Sequence, residues 1–466
     1  MKISSIHHEP LLSVGVLTSP RIAFSLSEAF LIQGSSQRLP AGRYTASPTA
    51  DGQVLVSPAD KGPQTAQPLT LPDAAVLEPS GQGCFWLEQV RIGLQFHWER
   101  LQRQQFEGSL CLRHDGQGQL IAINLIGLEA YLYSVIASEM NAASPEELLK
   151  AHAIISRSWL LAQLRRQDSP PETAQAGAAY PMETVNAQGE KEHIRWYERD
   201  AHRLFDVCAD DHCQRYQGMA HSDTPQVRAA LQATRGQVLS YGDDICDARF
   251  YKCCGGMTES FENCWAPEPH PYLRPVRDLP QGAAREEDYS DEEAARDFIL
   301  GNSPAFCHTT DKRILSLVLN DYDQETQHFY RWTQRYEAQQ LSEIFRQRSG
   351  IDLGRILALQ PIERGRSGRI VRLRVVGEKQ RIIIGKELEI RKFLSNTHLY
   401  SSAFVVDTEG RRPSDGAPEV FILHGAGWGH GVGLCQIGAA VMSSQGYDHR
   451  QILSHYYPDT VITQLY

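Results

Sequence analysis

No stretch of this sequence gathers lysine and arginine densely, and its 46 basic residues are outnumbered by 56 acidic ones, for a net charge of −10. Nucleic acid, bound chiefly through neutralised phosphates, is therefore not an expected partner. Also missing is any run approaching about 18 uninterrupted apolar residues, so no transmembrane segment is expected. The opening MKISSIHHEPLLSVGVLTSP carries one Lys and an apolar part broken early. That is a poor secretion signal, and the chain reads literally as cytoplasmic. No internal repeat is evident, and the Gly-rich ending has no Lys-Ser/Thr of a phosphate-binding loop. With 41% hydrophobic and 22% charged residues, wholesale disorder is excluded as well.

What is present is a mixed pattern. Residues 1–120 hold short strand-like pieces (SVGVL, RIAFSL, VLVS, FWLEQVRIGLQFHW) split by Gly, Pro and Ser, a β-rich N-terminal region that LIAINLIG continues. Residues 121–275 contain the first long helical pattern, 145–166, followed by a polar Pro/Ala/Gly-rich stretch, 168–195, that reads as an exposed loop. Residues 276–354 look like an inserted α/β segment opening on an acidic, solvated helix. Residues 355–466 begin with a hairpin around Arg366-Ser367-Gly368 and end Gly-rich, then helical. Strands and helices do not alternate regularly, so the fold class is α+β.

Six of the ten cysteines fall between Cys208 and Cys264. Such crowding points to metal or reactive thiols in a reducing compartment and to bridges in an oxidising one. His202, Cys208, His212 and Cys213 form H-x5-C-x3-H-C, the donor inventory of a closed tetrahedral Zn2+ site, though not the spacing of a common finger. Cys246, Cys253, Cys254 and Cys264 form a second group, for which a Cys254–Cys264 bridge and a second metal both stand open.

One acid stands out. YLYSVIASEM, 131–140, is an apolar, β-branched and aromatic run, read as a strand, that delivers Glu139 at its end. The approach Val135-Ile136-Ala137 would desolvate a carboxyl and keep it protonated near neutrality, as a general acid needs. Next comes a helix start: Ser144 as cap, Pro145 at the first position and Glu147 completing a capping box. Leu148, His152, Ile155 and Trp159 make a core-facing stripe, while Lys150 and Arg157 project from nearly one face. Both cations also fit a plain surface reading, with Glu146 pairing to Lys150.

YLYSVIASEM…PEELLKAHAIISRSWLLAQ resembles the central motif of the SpoIID/LytB family, and GWGHGVGLCQIGAAVMSSQGYDHRQILSHYYPDT resembles its ending. GRSGRIVRL and LEIRKFLSNTHLYSSAFVV fit the regions between. The resemblance implies a SpoIID-like mixed catalytic core with inserted segments behind the β-rich region. It implies a lytic transglycosylase acting on peptide-stripped peptidoglycan glycan strands or on muropeptides, with a non-catalytic activator of a cell-wall amidase as the alternative. By resemblance Glu139 is the catalytic acid, Lys150 and Arg157 are the functional cations, and Ser138, His430, Gln436, Gly255 and Gly256 border the glycan. Some similar proteins bind zinc through two His and two Cys in the region of His202–Cys213. Where the family tends to read H-S-T-S-G-G-x-T-E, this chain has Tyr251-Lys252-Cys253-Cys254-Gly255-Gly256-Met257-Thr258-Glu259, so Cys253 and Cys254 would be thiols lining the groove. A wall substrate implies the cell envelope or periplasm if the chain is exported.

Overall fold

The computed structural model describes residues 6–59, 67–92, 100–141, 144–167, 183–196, 202–210, 213–219, 224–280, 287–318 and 328–466. They form an α+β fold in two compact units. The first comprises Met1–Ala142, Ala201–Gln237 and Gln464–Tyr466; the second comprises Ala143–Asp200 and Val238–Thr463. No helix among the described residues is long and apolar enough to cross a membrane.

The first unit is built from alternating strands. In Val54–Pro58, for instance, Val54 and Val56 are buried and Leu55 is half-exposed, the period-two pattern of a sheet with one covered face. One antiparallel sheet has six strands, in the order Arg100–Phe106, Phe85–Ile92, Ile22–Leu26, Gly42–Pro48, Val54–Pro58 and Leu69–Leu71. The other has seven and is antiparallel except at one edge, where Val207–Cys208 lies parallel to Leu11–Ser19. Next in that sheet comes Leu120–Gly127, which continues directly into helix α1, Leu128–Glu139. A second helix of this unit spans Pro225–Ala233.

The second unit opens with helix α2, Glu146–Gln167, close to the expected 145–166. Its core gathers around Ile356–Arg364 and Ile370–Gly377, which pair antiparallel as the expected hairpin, with Arg364 opposite Ile370. Ile370, Leu373, Val375 and Ile384 pack there with Phe345 and Ile390. The stretch 168–195 needs correction in its described part. Glu183–Val185 and Lys191–Ile194 are strands, and the latter runs parallel to Arg381–Gly385 in the same five-stranded sheet. Polarity misled here because Glu190 and Glu192 are spent on Arg374, Arg381 and Arg372 rather than on water. The acidic run does start a helix, Glu292–Leu300, capped by Asp291, but Ala295, Phe298 and Ile299 bury one face of it.

Candidate functional site

Glu139 ends a helix, not a strand. Leu128, Tyr131, Leu132, Val135 and Ile136 are all buried, and their spacing is one stripe of a 3.6-residue period. That spacing outweighs the β-branched character that suggested a strand. The carboxylate is half-buried and accepts a hydrogen bond from the Arg215 backbone N–H at 3.4 Å. The segment that supplies this donor is fastened along α1. The Tyr216 ring stacks on Tyr131 at 5.1 Å, its hydroxyl donates to Asn124 Oδ1 at 2.5 Å, and the Gln217 N–H donates to Ser134 Oγ at 3.2 Å. Ser138 is buried at 3% exposure, which places it in the packing of α1 rather than on a binding surface.

Immediately before that segment stand the expected metal donors. One ligand atom each from His202, Cys208 and Cys213 lies within 4.8 Å of the others, and Cys213 Sγ is 3.4 Å from His202 Nε2. The fourth expected donor, His212, lies outside the described residues. Cys208 is placed by its edge strand, opposite Gly15, and Phe205 seats against both Gly15 and the His202 ring. Two thiols and an imidazole, gathered from separate turns, are a donor set suited to zinc. Arg215 is two residues beyond Cys213, so whatever fixes Cys213 also fixes the N–H that holds Glu139. A cleft of about 560 Å³ opens on another part of the α1 surface, lined by Tyr133 and Ser134 with Glu107, Glu129, Arg228 and Arg235. Glu139 is not among its lining residues.

In the second unit, α2 carries the expected cations, and its stripe Leu148, His152, Ile155 and Trp159 is buried as expected. Lys150 Nζ pairs with Glu146 at 2.7 Å and Glu147 at 2.8 Å, and these carboxylates raise its pKa. Arg157 is neither a surface cation nor open to substrate: it is fully buried, and Nη1 donates to Ala153 O at 3.4 Å. The expected capping box is absent, because the Ser144 hydroxyl donates to Leu317 O and Glu147 binds Lys150 and His449 instead. Gln436, at 1% exposure, lies 3.1 Å from His152 Nε2 rather than facing a groove. His152 Nδ1 in turn meets Ser156 Oγ at 3.2 Å. Burial, with Lys252 nearby, pushes the His152 pKa down to about 3, so the ring is neutral and accepts from the Gln436 amide.

His430 is likewise a loop-holding residue. Its Nε2 lies 3.0 Å from Phe250 O and its Nδ1 accepts from the Val432 N–H at 3.0 Å. Burial and then Arg249, Arg391 and Arg369 hold its pKa well below the usual value, leaving both nitrogens of a neutral ring engaged. Gly255 and Gly256 are buried, with positive φ of 72° and 113°. A Cβ on Gly255 would stand 2.7 Å from Gly427 N, where two backbone segments cross, and one on Gly256 would meet the Phe298 and Tyr330 side chains at 3.1 Å. Cys253 and Cys254, at 0% and 2% exposure, line no groove, and neither Cys254 nor Cys264 is in a disulfide.

Comparison with known proteins agrees in extent with this layout. A protein-family model described as Stage II sporulation protein matches residues 116–241, the stretch holding α1, Glu139, the Arg215 segment and the metal donors. The Stage II sporulation protein D of Bacillus subtilis (strain 168) is 23% identical over 348 residues, 74% of this chain and 76% of that protein. Together these matches support a SpoIID family assignment. The corresponding protein of Bacillus amyloliquefaciens is also 23% identical, over 345 residues and the same shares of each chain. A second family model, described as a domain of unknown function, DUF8618, matches residues 259–433.

The SpoIID-like blocks of the second unit interlock inside it. Ser367 Oγ donates to Glu259 Oε2 at 2.5 Å, while the Glu259 N–H donates to Gly431 O at 2.7 Å. Fully buried Arg369 reaches Met257 O and Cys254 O with its two terminal nitrogens. Sequence reasoning placed Cys253, Cys254, Gly255, Gly256 and the Gly-rich ending at the groove, because motif residues that hold a loop and those that touch a ligand look alike in a string. It missed Arg215, whose contribution is a main-chain N–H, and also Asp278 and Cys307, taken up below.

Proposed function

We propose that this SpoIID-family protein acts on the bacterial cell wall, as a lytic transglycosylase that cleaves peptidoglycan glycan strands with Glu139 as acid and then base. The observation that carries the reading is the seating of Glu139. A half-buried carboxyl ends a buried helix and is held by the backbone N–H of a segment tied at one end to a metal-type donor cluster. The Glu139 carboxyl gives its proton to the glycosidic oxygen as the bond from the anomeric carbon to that oxygen breaks. The muramic acid 6-hydroxyl then attacks the anomeric carbon and returns its proton to the carboxylate, leaving a 1,6-anhydro end and no net loss of water. An intramolecular hydroxyl removes the need for a second carboxylate to activate water. Zn2+ held by His202, Cys208 and Cys213, with His212 as fourth donor by sequence, would supply a structural clamp and leave no open position for water. A part for Lys150 and Arg157 in the reaction rests on the family resemblance alone: Lys150 is paired with Glu146 and Glu147, and Arg157 is enclosed. The substrate class places the reaction in the cell envelope, and cell fractionation tests that placement against cytoplasmic handling of muropeptides.

One observation favours a second reading, a non-catalytic glycan-binding activator of a cell-wall amidase: Glu139 does not line the cleft beside α1. Mass spectrometry of products from peptide-stripped glycan separates the two. Anhydro ends with the wild-type chain and none with folded Glu139→Gln are expected. Undiminished anhydro release by Glu139→Gln removes the acid assignment. Stimulation of an added amidase without any anhydro product supports the activator.

A further inference from the structure

We propose that Cys254, Asp278, Cys307 and Cys435 form a buried tetrahedral zinc site in the second unit, separate from the donors around Cys208. One ligand atom of each lies within 4.8 Å of the other three, and Cys254 Sγ is 3.3 Å from Cys307 Sγ. Sulfurs bound to one tetrahedral zinc at about 2.3 Å stand about 3.8 Å apart, so the set closes on a single ion with small adjustments. An iron–sulfur cluster spreads its thiolates over several irons and needs a wider cage. A disulfide needs its sulfurs at about 2.05 Å, and none of Cys254, Cys307 and Cys435 is in one.

Two of the three sulfurs accept from backbone N–H groups, as ligating sulfurs do. The Cys254 N–H donates to Cys435 Sγ at 3.2 Å, the Gly256 N–H to Cys254 Sγ at 3.3 Å, and the Gly438 N–H to Cys435 Sγ at 3.4 Å. Cys435 is the N-cap of the helix Gln436–Ser444, where the free amide ends favour negative charge. Asp278 is oriented as a ligand would be. Its Oδ2 accepts from the Cys307 N–H at 2.8 Å and its Oδ1 from the Tyr456 hydroxyl at 2.7 Å, with His455 Nε2 a further 3.7 Å from Oδ1. Exposures of 2%, 0%, 1% and 0% for Cys254, Asp278, Cys307 and Cys435 leave no water to solvate such charge. Burying a carboxylate beside three thiols is costly without a cation, and thiolate donors select zinc over magnesium or calcium. Four protein ligands with no open position make the site structural: it joins four distant segments and anchors the Gly-rich ending at Cys435, next to Gln436.

The test is metal analysis of the full chain purified without added metal. The Cys208→Ser/Cys213→Ser chain is expected to retain about one zinc per chain, because this site does not use those donors, and adding Cys307→Ser should remove it. Native alkylation of the wild-type chain gives a readout that needs no variant. Cys254, Cys307 and Cys435 should be protected until a chelator is added and modified afterwards. A folded Cys208→Ser/Cys213→Ser chain without metal overturns the proposal, as does alkylation unchanged by chelator or a Cys254–Cys307 disulfide in the unreduced protein.

Discussion

His152 gives the second unit a pH-dependent stability that one substitution removes. Its ring is fully buried, accepts from the Gln436 amide, and sits edge-on to Phe250 at 4.5 Å. Protonation would set an N–H against the Gln436 amide donor in a place without water. The folded-state pKa is about 3, against about 6.5 for an unfolded chain. Between those values the unfolded state binds a proton that the native state does not, so stability falls as pH falls from about 6.5 toward 3. Integrated from pH 7 to pH 5, one such group contributes a loss of about 2 kcal/mol. His398, held down to about 4 by burial and by Arg391, Arg348 and Lys392, acts with the same sign, as does His430. Comparison with His152→Gln isolates the one term, since Gln keeps an acceptor for Gln436 and does not titrate. Urea unfolding at both pH values, followed by a probe in this unit, should show the wild type losing about 2 kcal/mol more than the variant. Losses equal within about 0.5 kcal/mol would mean that His152 accepts a proton in the folded state, and the neutral-ring argument would fail.

Tyr216→Phe leaves buried Asn124 Oδ1 without its hydroxyl donor and should cost about 1–3 kcal/mol, read as faster amide exchange along Leu128–Glu139. Gly427→Ala puts a Cβ 2.7 Å from Cys253 O at φ +75°, and thermal unfolding should show destabilisation above about 1 kcal/mol. Glu147 feels burial first, which would raise its pKa, but Lys150 and the N–H and ring of His449 bring it to about 2. Its stabilising contribution is therefore complete above about pH 4.5 and lost as pH falls toward 2, so Glu147→Gln should be less stable than wild type at neutral pH, with the gap closing over that window.

How much of this could be read from the string depends on how local each signal is. Helix α2 and the Ile356–Gly377 hairpin were legible because a stripe of apolar residues and a Gly-flanked turn are complete within a few residues. The element carrying Glu139 was misread although its signal was equally local. Val135 and Ile136 pulled toward a strand, whereas the spacing Leu128, Tyr131, Leu132, Val135, Ile136 already described one face of a helix. His202, Cys208 and Cys213 were legible as a cluster because a short span of chain brings them together.

The donors around Cys254 show the opposite limit. Cys307 is a lone thiol in the sequence and Asp278 one acid among 56, and only the folded second unit makes them neighbours of Cys435. The same folding explains why His430, Gln436, Gly255 and Gly256 read as glycan contacts. A motif of glycines and polar residues marks a place where backbones cross closely and every polar atom needs a partner. Such crossings occur beneath binding surfaces as well as on them. In this chain the His430 nitrogens are met by Phe250 and Val432, and the Gln436 amide by His152, so these side chains are committed to holding the crossing. Glu139 differs in the respect that matters for chemistry: it is half-buried, and its carboxylate accepts from a main-chain N–H, that of Arg215. A carboxyl in that state can still exchange a proton with a bound sugar, which is why the catalytic proposal rests on it and not on the more densely patterned Gly-rich ending.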